Sequence, residues 1–179
     1  MKKQLVATLV GGVILFLCQF LSWTILNIHA DQFGYTANQD KILETLAQNL
    51  EEGSYMMPGL PANSSAEAHQ ALMESSAGKP WATVTYHKAM NNNMGMNMVR
   101  GLSIDLVSVF LLVWLLSKFA SIDFQTVVLT SLAVGATGYL TIPYLNSIWF
   151  DSNSIGYLID TLVQWGLTGV WLGWWLKRP

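Results

Sequence analysis

The stretch LVATLVGGVILFLCQFLSWTIL, residues 5–26, decides the fold. It carries no charge and is long enough to cross a hydrocarbon core of roughly 30 Å as a helix. Lys2 and Lys3 precede it, which is also how a secretory signal peptide begins, and Ile28-His29-Ala30 before Asp31 resembles a cleavage site. A signal core spans about 7–15 residues, however, and this run is longer. The expectation is a retained helix over residues 1–27.

Working outward, three further apolar runs read as membrane helices: 99–119, 124–144 and 155–176. Residues 120–123 join the second and third by a tight turn, so those two are expected to be antiparallel. Pro143 falls near the end of the third and is expected to break it there, leaving 145–154 as a loop. The cations set the orientation. Lys2, Lys3, Lys118, Lys177 and Arg178 fall on one side by alternation of the runs, and 145–154 holds neither Lys nor Arg. The positive-inside rule then places both termini in the cytoplasm and residues 28–98 outside. Trp174 and Trp175 suit the inner interfacial belt; Trp149 and Tyr157 suit the outer one. The fold class expected is a membrane all-α protein with four transmembrane helices and a small α+β extracytoplasmic segment. Its expected location is a bacterial inner membrane.

Composition agrees with this. Of 179 residues 52% are hydrophobic and only 11% charged, against about 25% charged in an ordinary soluble domain. A chain so short of charge cannot cover a surface that faces water all round. The net charge of −2 offers no basic field, which excludes nucleic acid as a partner. The single cysteine, Cys18, can form neither an internal disulfide nor a multi-cysteine zinc site.

Residues 28–98 are polar and punctuated by Gly, Pro and Asn. Asn38 is placed to cap a helix over 39–51, with Ile42, Leu43, Leu46 and Leu50 on one face. Ser64 and Glu67 have capping-box spacing for a second helix that Gly78 would end. The alternation of Ala82, Val84 and Tyr86 predicts a strand, and residues 54–57 are its expected partner. The whole is expected to rest as a small cap on the outer ends of the helices. Asn63-Ser64-Ser65 matches a glycosylation acceptor, a tripeptide common by chance.

Residues 53–59, GSYMMPG, followed by Gly78-Lys79-Pro80 and by Tyr86-His87 ahead of a membrane helix, carry a resemblance. The chain resembles a family of small bacterial four-helix membrane proteins. Their outer segment holds Tyr-x-x-Pro-Gly, a Gly-Pro (separated here by Lys79) and a Tyr-His. The resemblance implies the architecture and carries no activity.

Two clusters are candidates for chemistry. No cofactor is expected; copper is the alternative, since His87, Met90, Met94, Met96 and Met98 offer imidazole and thioether groups that suit Cu(I). On a helix His87, Met90, Met94 and Met98 would share a face, with Met96 off it; the same spacing serves an apolar packing stripe. Asp105 and Asp160 are ionisable groups inside predicted spans, expected at similar depth near the outer face. Arg100 is a candidate counter-ion for Asp105, and His87 or Lys88 for Asp160. Gln19, Gln125 and Gln164 are expected to find hydrogen-bond partners on neighbouring helices. Gly166, Gly169 and Gly173 form a small-residue side for close helix packing, within the bundle or in an oligomer; Gly135 and Gly138 do the same for the third run. His29 and His69 read as solvated surface.

Hydrolase and phosphate-loop signatures are missing from the sequence. The function expected first is a non-enzymatic accessory or assembly subunit that binds other membrane subunits or its own copies in the bilayer. A small transport or copper-handling protein comes second. An enzyme acting on lipid comes third, without a recognisable nucleophile.

Overall fold

Helix α1 runs from Lys2 to Thr24 in the computed structural model, which describes residues 2–178. An uncharged run with only Gly11-Gly12 against it has nothing to interrupt its hydrogen-bond ladder. It ends where Asn27 takes a left-handed conformation, φ 52°, one of the few residue types that visits this region. The Ile28 N–H then reaches back to the Ser22 carbonyl at 3.2 Å, so the chain folds over the end of its own helix.

The chain divides into two compact units, one made of the residues up to Gly34 with those from Asn93 onward, the other of Tyr35–Asn92. The first unit holds the long helices. Helix α4 covers Met94–Leu116, beginning at Met94 rather than the expected Val99 because the Asn93 side chain accepts the Met96 N–H at 3.4 Å and caps it there. Helix α5 covers Phe124–Tyr139. It passes through a π-helical turn, Leu140–Tyr144, into α6, Leu145–Phe150. The break expected at Pro143 therefore does not occur. Pro143 has no N–H to donate, and the wider turn absorbs the missing bond so the helix continues. Asp151, at φ 47°, ends it instead. Helix α7 covers Ile155–Leu176.

Three helical stretches are long and apolar enough to cross a membrane: α1, α4 and the continuous run Phe124–Phe150. Helix α7 has the length but is not among them: it carries Asp160, Gln164 and four Trp. Tryptophan is an interfacial residue rather than a hydrocarbon-core one.

Glycines set how the long helices meet. A methyl on Gly12 of α1 would stand 3.0 Å from the Leu106 Cα of α4, and one on Gly11 would stand 2.8 Å from a Val109 methyl. On α7, Gly169 lies against Val128 and Ser131 of α5, and Gly173 against Phe124. Successive partners run in opposite senses, so α1 is antiparallel to both α4 and α7, and α5 is antiparallel to α7. Ala7, Leu15, Val109, Leu112, Leu116, Val127 and Leu172 form the buried core between them. At one end, the Trp175 indole donates to the Lys3 carbonyl at 3.0 Å, and the Arg178 guanidinium lies 3.4 Å over the Trp174 ring. The Lys3 ammonium also bonds the Arg178 carbonyl.

Asp123 caps α5 by accepting the Thr126 N–H at 2.7 Å. That bond, with help from Lys177, holds the Asp123 carboxyl below its ordinary range. A group with a depressed folded pKa contributes stability above its unfolded pKa and loses it as pH falls through the folded value. Asp123→Ala is therefore expected to lower the melting temperature slightly at neutral pH, with the deficit fading in acid. Thermal melts of both proteins across pH 2–7 check this; a deficit unchanged by acid counts against it.

The second unit is built around a two-stranded antiparallel sheet, β1 (Gly53–Met57) with β2 (Ala82–Tyr86), in the register Gly53 to Tyr86 and Met57 to Ala82. Helix α2 spans Gln39–Asn49, shorter than expected because Leu50 is already extended; the Asn38 side chain makes no cap bond. Helix α3 spans Ala66–Ser76 and is capped by Ser65, whose hydroxyl accepts the Ala68 N–H at 3.2 Å. The expected cap, Ser64, instead donates to the Pro61 carbonyl. Gly78, at φ 73°, turns the chain after α3. Lys88 bonds Glu51 and its N–H bonds Glu52 at 2.8 Å, joining the end of β2 to the approach to β1. Lys88 holds the Glu51 carboxyl below its ordinary range, but the pair is exposed and contributes little.

Candidate functional site

The polar groups of the long-helix unit converge where the chain leaves α1. The turn at Asn27 carries His29 back over the start of α7, where Gly156 leaves room for it: a methyl there would meet His29 Nδ1 at 2.9 Å. His29 is 4% exposed. Its ring stacks on Trp23 at 4.0 Å between centroids with 9° between planes, and Tyr157 packs at 4.9 Å. His29 Nε2 bonds Asp160 Oδ2 at 2.8 Å, and the Ser22 hydroxyl donates to Asp160 Oδ1 at 2.5 Å. Gln32 Nε2 reaches His29 Nδ1 at 2.9 Å, and the Tyr157 hydroxyl donates to Gln32 Oε1 at 3.1 Å. The donors thus run in one direction, from Tyr157 through Gln32 and His29 to Asp160. Asn153 adds a bond to Asp31 at 3.3 Å that pins the same turn to the start of α7.

Asp105 is 3% exposed and accepts one bond, from Gln19 Nε2 at 3.0 Å, which leaves its other oxygen without a partner. Gln19 and Ser22 are three residues apart, so the two carboxylates meet α1 within about 4.5 Å of each other along its axis. Both are tied to the same helix by neutral donors. Arg100, the expected counter-ion of Asp105, is exposed and forms no ion pair among the described residues. The partner of Asp160 is His29, neither His87 nor Lys88. The solvated surface expected for His29 does not hold: the residue is buried, because the chain folds back over the end of α1. The signal that locates it is positional: His29 follows α1 at the end near which Asp160 lies, in the second turn of α7.

A cleft of about 380 Å³ opens beside this network, between α1 and α5 with α7 as its floor. Asp160, Gln164 and Gln19 line it with Tyr139, Tyr157 and Trp165. The π-helical turn contributes Ile142 and Pro143 to one wall, and such turns recur at functional sites.

The methionine cluster is not assembled as one helical face. Met94, Met96 and Met98 lie on the first turns of α4, but His87 and Met90 precede that helix and belong to the other unit. Met90 is 97% exposed. Among the described residues no group of three or more His, Cys, Asp or Glu is arranged to hold a metal. Of the glycines on α7, Gly169 and Gly173 are buried against α5, while Gly166 meets only a Leu132 methyl at 3.7 Å. Their close approach is thus used between helices of one chain. No protein-family model, curated protein or solved structure matches this chain.

Proposed function

We propose that this is a four-span membrane protein, with both ends on the cytoplasmic face of a bacterial inner membrane, whose outer segment binds a partner chain as an accessory or assembly subunit. Support for the topology comes from Lys3 and Arg178 meeting at one end of antiparallel α1 and α7, as a positive-inside arrangement requires. The resemblance to small four-helix membrane proteins points the same way.

The observation that carries partner binding is an apolar groove in the Tyr35–Asn92 unit. It has a volume of about 930 Å³ and lies between β1, α3 and the loop that joins them. Tyr55, Met57, Leu60, Leu72, Met73 and Trp81 line it, and Met73 and Trp81 are 76% and 46% exposed. Apolar side chains gathered into one exposed groove mark an interaction surface. Methionines suit such a surface because they repack around different partners.

Isolation from native membranes in mild detergent tests the reading. The wild-type protein is expected to come out with a stoichiometric second chain or as a defined homo-oligomer. Met73→Glu and Trp81→Glu are expected to lose it while keeping helix content. A monodisperse lone chain from the wild type would overturn the proposal.

A further inference from the structure

We propose that the cleft between α1 and α5 is a binding site for a primary ammonium group, borne by an amphiphile in the membrane or by a small amine from water. Three observations converge on it. Asp160 is the one charged side chain lining the cleft, and an ionised carboxylate has about four acceptor positions, of which Ser22 and His29 take two. Gln164, one helical turn further along α7, is 6% exposed, lines the cleft, and makes no hydrogen bond among the described residues. Its amide is therefore free to meet a group in the cleft, and its carbonyl oxygen can accept from a donor there. The walls include the aromatic residues Tyr139, Tyr157 and Trp165, and an aromatic ring attracts a cation brought over its face.

These features select among head groups. A phosphate or carboxylate would face Asp160 with neither Lys nor Arg in the lining to offset it. A hydroxyl would use Gln164 and leave the carboxylate unanswered. A primary ammonium has three N–H donors on one positive charge, enough for Asp160 and Gln164 together. The volume of about 380 Å³ lies within the range of small-molecule sites.

The test uses the full chain in nanodiscs of zwitterionic lipid, with equilibrium binding of dodecylamine, dodecanol, dodecyl sulfate and ethylamine. Dodecylamine or ethylamine is expected to bind saturably, at one per chain and at least about tenfold more tightly than the neutral or anionic probe. Ethylamine binding as well as dodecylamine assigns the site to water-borne amines; dodecylamine alone assigns it to the membrane. Asp160→Asn and Gln164→Leu should each weaken binding by about tenfold or more. Gly138→Trp gives a second line that leaves both groups in place. A Cβ at Gly138 meets nothing within 4 Å and Gly138 lines the cleft, so the indole is expected to occupy it and binding to be lost, with little change in melting temperature. Equal binding of dodecanol, or wild-type binding by Gly138→Trp, overturns the proposal.

Discussion

Asp160→Ala should destabilise the long-helix unit more than any other single polar-to-alanine change in the chain. The substitution removes the acceptor of two buried donors at once, His29 Nε2 and the Ser22 hydroxyl, at 4% and 3% exposure. Each buried donor left without an acceptor costs about 1–3 kcal/mol. The expected loss is therefore about 2–5 kcal/mol, read from denaturant unfolding in mixed micelles. A double-mutant cycle separates this pairing from general damage. His29→Phe with Asp160→Leu should recover part of the sum of the two single losses, because an apolar pair leaves no orphan. Strictly additive losses would mean that His29 and Asp160 do not act on each other.

The second large effect concerns the α5–α7 contact. Gly169→Leu places a side chain where the first atom alone would stand 2.9 Å from Ser131 Cβ and 3.1 Å from Val128 Cα. Backbone at that distance cannot swing aside as a side chain does, so the two helices must separate. Overpacking of this kind costs about 1–3 kcal/mol and sometimes more, and here it also opens the buried contact of Ser131 with α7. The expected result is loss of the folded, monodisperse protein, or a melting temperature lowered by many degrees. Gly138→Ala on α5 is the matched control. Its new methyl meets nothing within 4 Å, so its stability should equal or slightly exceed wild type, since alanine is the better helix former. If the two variants behave alike, helix propensity rather than close approach governs these glycines.

The two results bear on different parts of one arrangement. Gly169 and Gly173 hold α7 against α5, while Gly11 and Gly12 hold α1 against α4. The His29 network ties the end of α1 to the start of α7. Helix α7 thus contacts both α1 and α5, and the cleft is the space that those two leave over it.

Much of this was legible in one dimension. Apolar runs of helical length mark α1, α4 and α5 because each backbone group of a helix finds its partner within four residues. The fourth run, Ile155–Leu176, has the residue bounds read from the sequence. The strand pair around Tyr55 and Val84 was also readable, from alternation at Ala82, Val84 and Tyr86 and from a single available partner. The misreadings fall where a local signal has two outcomes. Pro143 can end a helix or widen one turn of it, and the flanking apolar residues, which favour continuing, decided for the π-turn. Ser64 and Ser65 are adjacent candidates for one cap, and backbone geometry chose the second.

The sequence by itself determined where the long apolar helices lie and which ends carry the cations, since these depend on near neighbours and on residue type. Only the tertiary structure decided what the polar residues do. His29 and Asp160 are 131 positions apart, and they meet because Asn27 adopts a positive φ, Ile28 bonds back to Ser22, and Gly156 presents no side chain. Gln19 likewise answers Asp105 through the crossing of α1 and α4 at Gly11 and Gly12. A buried polar group must take whichever partner the packed backbone delivers. That partner is set by how helices cross and where a turn reverses, quantities that no local spacing records.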